Sequence, residues 1–215
     1  TKTGRMKVVS GPNVLTMKKG FKRLIASRFQ GGSVIEIDFS ALEPRTALAA
    51  VGHQEYDENC DIYVMIGDDL GIDDRNIAKQ VIISFLYGAG INTICRLAEI
   101  DSTTLIPKLK RLKEIFLYDD VVNSIRSQCA QRGYFTNHAG RPLLPSSDKP
   151  GLLFNNFTQS TAVDVAISGF SSLLSEINNL SMKTVPLCFI HDAIILDVPK
   201  DELGTIEKMS SGLST

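Results

Sequence analysis

The sequence holds only four cysteines, Cys60, Cys95, Cys129 and Cys188, and none of them forms a CxxC pair. Thiols scattered in this way exclude a thiolate zinc site and a disulfide scaffold, and they fit a reducing compartment. The three histidines, His53, His138 and His191, are also too far apart to suggest a histidine metal cluster. Charge of either sign is nearly balanced at a formal net −1, so no global basic field advertises a polyanionic partner. No apolar run approaches the roughly 18 residues that a membrane-spanning helix needs. The N-terminal Thr1-Lys-Thr-Gly-Arg-Met-Lys7 is not a signal peptide. There is no starting methionine, and Ser210 to Thr215 offers no obvious closing element, so a piece excised from a longer protein is expected.

What is present supports a folded chain with a sizeable core. The chain has 215 residues and is 43% hydrophobic, enough for one large core or two small ones. Val34 to Phe39 reads as a strand that ends on Asp38. A carboxylate at the end of a buried strand is costly unless something cationic meets it. A helix is expected after it, capped by Ser40, with Pro44 tolerated in the first turn and Glu43 and Arg45 along it. Near the other end, residues 186–198 read as two strands, with His191 and Asp192 at the tight connection between them.

Between these lie mostly helices. Residues 61–66 fit a short helix or a strand equally well. Asp73 to Gly88 carries the strongest helix signals, with aspartates at its start and a glycine at its end. Arg75, Lys79, Ile83 and Tyr87 (or Leu86) share one face of it. Such a face fits a surface helix with snorkelling cations as well as it fits a phosphate site. The basic clusters Lys18 to Arg23 and Lys108 to Lys113 likewise fit solvated surfaces. Gly133 to Pro142 reads as a hairpin, and Asn155 to Leu180 as a long helix carrying Gln159.

Taken jointly, these pieces suggest chemistry. Two carboxylates about 4 Å apart repel by roughly 4 kcal/mol at an effective dielectric near 20. Divalent cations reverse that sign, and a metal pair activates an attacking oxygen while steadying a leaving one. Asp38 and Asp192 suit magnesium, which takes one or two carboxylates plus substrate phosphates, better than zinc. Arg75 and Lys79, one turn apart, suit the outer oxygens of a triphosphate.

The motifs resemble those of family A DNA polymerases, the group of bacterial DNA polymerase I and many phage replicases. Asp38-Phe-Ser-Ala-Leu-Glu-Pro-Arg45 is similar to the family's D-Y-S-x-I-E-L-R. Arg75-Asn-Ile-Ala-Lys79 followed by Tyr87-Gly88 is similar to its R-x-x-x-K…Y-G helix, and Ile190-His191-Asp192 to its V-H-D-E. Thr3-Gly4-Arg5 with Pro12-Asn13, Gly133-Tyr134 with Gly140-Arg141, and Asn155 with Gln159-Ser-Thr-Ala162 match weaker motifs in the right order. The resemblance spans about residues 1–198, and three motifs in order at plausible separations are highly specific.

The resemblance implies an α+β fold, an antiparallel palm sheet with helices and a mostly helical fingers subdomain. Residues 1–45 would begin the palm, 46–140 form the fingers, and 141–215 return to a truncated palm. The thumb and the 3′–5′ exonuclease would lie outside the chain. It implies template-directed DNA synthesis from dNTPs on a primer–template, with pyrophosphate release. Two Mg2+ ions would be bound by Asp38, Asp192 and the Phe39 carbonyl. Arg75 and Lys79 would hold the triphosphate, with Lys79 protonating the leaving group. Ile83 would pack on the nucleotide sugar, Tyr87 lie near the templating base, and Glu43 crowd the 2′ position. Arg5, Asn155, Gln159 and His191 would contact DNA. A phage origin would place the enzyme in the host cytoplasm, with no membrane contact.

Several positions depart from the family pattern. Ala193 stands where Glu is usual, Ile83 where Phe or Tyr is usual, Pro44 for Leu and Ser160 for Gly. Three other readings share some features: a single-subunit RNA polymerase, a non-catalytic nucleic-acid-binding remnant, and a two-metal nuclease. Glu43 opposes the first, and the nuclease offers no use for the Arg75–Lys79 face.

Overall fold

The computed structural model describes residues 3–6, 9–10, 24–53, 60–190 and 192–211. The Lys18 to Arg23 cluster, Pro12-Asn13 and His191 lie outside them. The chain divides into two compact units, one of Thr3–Ser40 with Val163–Thr215, the other of Ala41–Ala162. Among the described residues there are eight helices and five strands, in an α+β arrangement.

The first unit is built on an antiparallel sheet of three strands: β1 (Ser33–Asp38), β4 (Val185–Ile190) and β5 (Ala193–Val198). Their order is β1-β5-β4, so β5 is central, and all six of its residues are buried. A strand covered on both faces reads as a continuous apolar run, and Ala193-Ile-Ile-Leu has that pattern. Pro186 sits in edge strand β4, the kind of strand to which proline is confined, and the register shifts between Pro186 and Cys188.

Asp197 is the buried carboxylate of this sheet, 3% exposed. It accepts from the Ser27 hydroxyl at 2.5 Å and the Arg28 amide at 3.2 Å, with the Arg28 guanidinium at 3.5 Å. Asp38, by contrast, is exposed at the open end of β1. The desolvation expected for Asp38 therefore falls on Asp197 instead, because β1 is an edge strand and β5 is not.

The second unit is helical. It contains α1 (Leu42–Ala50), α2 (Ile62–Leu70), α3 (Arg75–Leu86), α4 (Ile91–Ala98), α5 (Ser102–Ile115) and α6 (Tyr118–Arg132). A short hairpin follows, β2 (Phe135–Thr136) with β3 (Pro142–Leu143). The core gathers Phe85, Phe116, Tyr118 and Phe154, with ring centroids 4.8–6.5 Å apart. Helix α7 (Pro150–Asn179) gives its first part to this unit and its remainder to the sheet unit.

Three helix starts follow cap chemistry, while α1, α4 and α6 begin without a side-chain cap. Asp61 caps α2, Asp74 caps α3 and Asp101 caps α5 through main-chain N–H groups. Helix α1 differs from the expectation that Ser40 caps it. Ala41 takes the cap position at φ 51° with no side-chain bond. The apolar stripe sets the helix's register here, burying Leu42, Ala47 and Leu48. A final helix, α8 (Leu203–Ser211), was not expected from the sequence. Its start is tied down by Glu202, which accepts from the Lys183 and Thr184 amides at 2.7 and 2.9 Å.

Candidate active site

The sheet register brings two distant motifs together. Asp38 pairs with Ala193 across β1 and β5, and Ile190 pairs with Ala193 across β4 and β5. The Phe39 amide donates to the Asp192 carbonyl at 3.3 Å. Asp38 and Asp192 thus occupy the same end of one sheet, the first exposed and the second half-buried. Phe39 turns inward, its ring 5.0 Å from that of Phe170, which in turn lies 5.7 Å from Phe189. A Cβ at Gly169 would meet the Phe39 ring at 2.8 Å, so a glycine is needed there. With Phe39 anchored, the strand end that carries Asp38 is fixed. Ala193, between the two aspartates, is only 3% exposed.

Asp38 ends β1 and Asp192 lies in the turn between β4 and β5, and carboxylate oxygens are the kind of hard donor that divalent cations such as magnesium take. Among the described residues no group of three or more His, Cys, Asp or Glu side chains could hold a metal. The pair would therefore need oxygens from a substrate to complete a coordination sphere.

Arg5 is half-buried and lines a recess with Phe170 and Phe189 in the same unit. His191 lies outside the described residues.

In the helical unit, α3 presents Arg75 and Lys79 on an exposed face, as its period requires. Ile83, further along that face, is half-buried against the helical core. Tyr87 caps the end of α3, and its hydroxyl donates to Glu43 at 3.1 Å. Asn155 on α7 donates its amide to the Leu86 carbonyl at 3.2 Å, and Gln159 is half-buried one turn further on.

The structure adds residues that sequence reasoning missed. Arg75 donates through Nε to Asp61 at 2.5 Å. The Tyr63 ring lies 5.5 Å from the Arg75 guanidinium and 5.5 Å from the Lys79 ammonium. Burial raises the Asp61 pKa, but hydrogen bonds from Arg75 and from the Tyr63 and Val64 amides outweigh it, leaving the carboxyl below its ordinary value. Helix α2 can approach α3 because Gly67 has no side chain. A Cβ there would lie 2.9 Å from the Ile72 carbonyl and 3.1 Å from the Ala78 side chain.

The basic run on α5 makes several internal contacts. Lys108 donates to the Leu70 and Gly71 carbonyls at the end of α2, and Arg111 pairs with Glu114 at 3.3 Å. That supports the solvated, structural reading of the run over a phosphate-binding one.

No family model matches the chain. Two DNA polymerase I proteins of Streptococcus pneumoniae are similar to it in sequence. The one from strain TIGR4 is 26% identical and the one from strain R6 is 25% identical, each over 244 residues. Each match covers 97% of this chain and 27% of the relative, so the chain spans about a quarter of the length of these curated relatives. Among solved structures, the POL domain of Pol1 from M. smegmatis, in complex with DNA primer-template and dNTP, matches with a TM-score of 0.74. That match covers 100% of this chain and 43% of the other at 16% identity, and it establishes a shared fold.

Proposed function

We propose that this chain carries the nucleotidyl-transfer site of a template-directed DNA polymerase of the family A type. The observation that carries the reading is the register of β1 against β5. It sets the aspartates of two separate motifs at one sheet end, in a chain with the fold of a polymerase domain. The sequence similarity to DNA polymerase I runs along nearly all of the chain, which supports the same reading.

In this reading the sheet unit is the palm and the helical unit contains the fingers. Asp38, Asp192 and the Phe39 carbonyl would hold two Mg2+ ions, which would supply charge neutralisation at the phosphate and lower the pKa of the primer hydroxyl. Arg75 and Lys79 bind the outer phosphates of the dNTP, and Lys79 delivers a proton to the leaving pyrophosphate. Ile83 packs on the sugar. Glu43, held by Tyr87, occupies the space a 2′-hydroxyl would need. Arg5, Asn155, Gln159 and His191 contact the primer–template. Positioning and charge neutralisation supply most of the acceleration. The two carboxylates suffice for this role, and Ala193 is accommodated as a buried residue of the central strand. A phage source and the host cytoplasm remain part of the proposal.

Primer extension by the full-length protein tests it. Asp38→Ala and Asp192→Ala should each abolish Mg2+-dependent incorporation of deoxynucleotides while DNA binding persists. Unchanged activity in either variant would make the chain a non-catalytic nucleic-acid-binding element. A preference for ribonucleotides would transfer the reading to an RNA polymerase.

A further inference from the structure

We propose that Asp61 and Tyr63 form a positioning device that holds Arg75 and Lys79 ready for a triphosphate. The proposal rests on the reading above, in which those two cations bind the nucleotide. Asp61 does two things with one carboxylate. One oxygen caps α2 through the Tyr63 amide at 3.0 Å, and the other takes Arg75 Nε at 2.5 Å. Because the bond uses Nε, the two terminal nitrogens of the guanidinium remain for an incoming anion, the bidentate end that matches phosphate.

Tyr63 adds the second restraint. Its ring lies 5.5 Å from both cationic groups, so it attracts each through its π face and opposes their mutual repulsion. The segment is itself pinned, since Arg45 Nη2 donates to the Cys60 carbonyl at 2.5 Å, next to Asp61. The Gly67 contact with α3, one turn beyond Tyr63 on α2, sets the spacing between the helices.

The Arg75 and Asp61 side chains are 47% and 37% exposed, and an exposed pair contributes little to folding. What the pair does supply is orientation. A long arginine fixed before the nucleotide arrives loses less conformational freedom on binding.

The test uses the full-length protein and reads the KM for dNTP, kcat, and the binding of inorganic tripolyphosphate by calorimetry. Asp61→Asn keeps a competent helix cap and removes the charge. It should raise the KM about threefold to fivefold, the scale of an exposed ion pair, with kcat within twofold. Tripolyphosphate binding should weaken in parallel. Tyr63→Leu should raise the KM and weaken tripolyphosphate binding on the same scale and, because Tyr63 also holds Lys79, lower kcat as well; Tyr63→Phe, which keeps the ring, should give wild-type values. If Asp61 merely competed with the anion, Asp61→Asn would bind triphosphate more tightly, and that outcome overturns the proposal. Arg75→Ala separates the two levels of argument. Weak binding in Arg75→Ala alongside wild-type values in Asp61→Asn and Tyr63→Leu overturns the positioning device alone. Wild-type binding in Arg75→Ala overturns the nucleotide-binding role and this inference with it.

Discussion

Asp38 and Asp197 are on neighbouring strands of one sheet and meet opposite environments. Asp197 is enclosed, with hydrogen bonds from Ser27 and Arg28. Removing it would leave those donors unmatched, and a hydrogen bond to a charged group is worth roughly 1.5–3 kcal/mol. Asp197→Ala should therefore lower stability by about 2 kcal/mol in urea unfolding. Asp38→Asn should leave the urea midpoint near wild type, because the side chain is exposed. It should nevertheless reduce primer extension at least about a hundredfold if the carboxylate holds a metal at the reacting phosphate. Loss of stability in Asp38→Asn to match that in Asp197→Ala would contradict this division of labour. Glu43 invites a second measurement. With its carboxylate held by Tyr87 at 3.1 Å, Glu43→Ala should increase ribonucleotide incorporation at least about tenfold relative to deoxynucleotides if that side chain excludes the 2′-hydroxyl as proposed. An unaltered ratio would leave sugar selection to other residues. Sequence made Asp38 and Asp192 legible because carboxylates interrupting apolar runs stand out. Tyr63 was not legible, because a tyrosine in a segment that fits helix or strand carries no pattern. Its role comes from the close approach of α2 and α3 at Gly67, a tertiary fact.

At the scale of elements, most strands and helices follow the periodicity of the chain, and the differences are a helix start and one unexpected helix. Ser40 offered a better cap than Ala41, yet burial of Leu42, Ala47 and Leu48 set the helix one residue later. Packing outweighed a single hydrogen bond. Helix α8 escaped notice because its residues are mostly polar and Ile206 alone is buried. The junction of α3 with α7 is equally tertiary. Gly88 has φ 69°, and a Cβ there would meet the Gly151 carbonyl oxygen at 2.6 Å. The same test at Gly151 gives 3.0 Å to the Gly88 Cα and an ordinary backbone. Gly88→Ala should therefore cost about 2–3 kcal/mol, combining left-handed strain with backbone overlap. Gly151→Ala should cost less than half of that. Equal costs in thermal or urea unfolding would mean that φ at Gly88 contributes nothing. Asn155 donates to the Leu86 carbonyl at 3.2 Å beside this contact, so Gly88 and Asn155 serve the same junction of α3 with α7.

At the scale of the whole molecule, several carboxylates work as local ties, and they give stability a common pH dependence. Asp101 is held below the ordinary carboxylate range by the Thr103 and Thr104 hydroxyls and the Thr104 amide. Glu202 is raised by burial but lowered more by the Lys183 and Thr184 donors, and Asp61 behaves likewise with Arg75 and its own helix N-terminus. The three lie at the starts of α5, α8 and α2. For each, the folded state keeps the carboxylate ionised to lower pH than the unfolded chain does. As pH falls through the ordinary values near 3.8 for Asp and 4.5 for Glu, the unfolded state takes up protons first. Stability from these ties is fully present above those values and is lost as pH drops toward the depressed folded ones. The melting temperature should be flat from pH 7 to about 5.5 and fall steadily below about pH 5. Asp101→Asn and Glu202→Gln should flatten part of that decline, with the Glu202 change acting in the sheet unit and the Asp101 change in the helical unit. Calorimetry across this range measures both. A melting temperature that holds constant down to pH 3 would show that the ties are equally protonated in the two states, and the electrostatic account of these helix starts would fail.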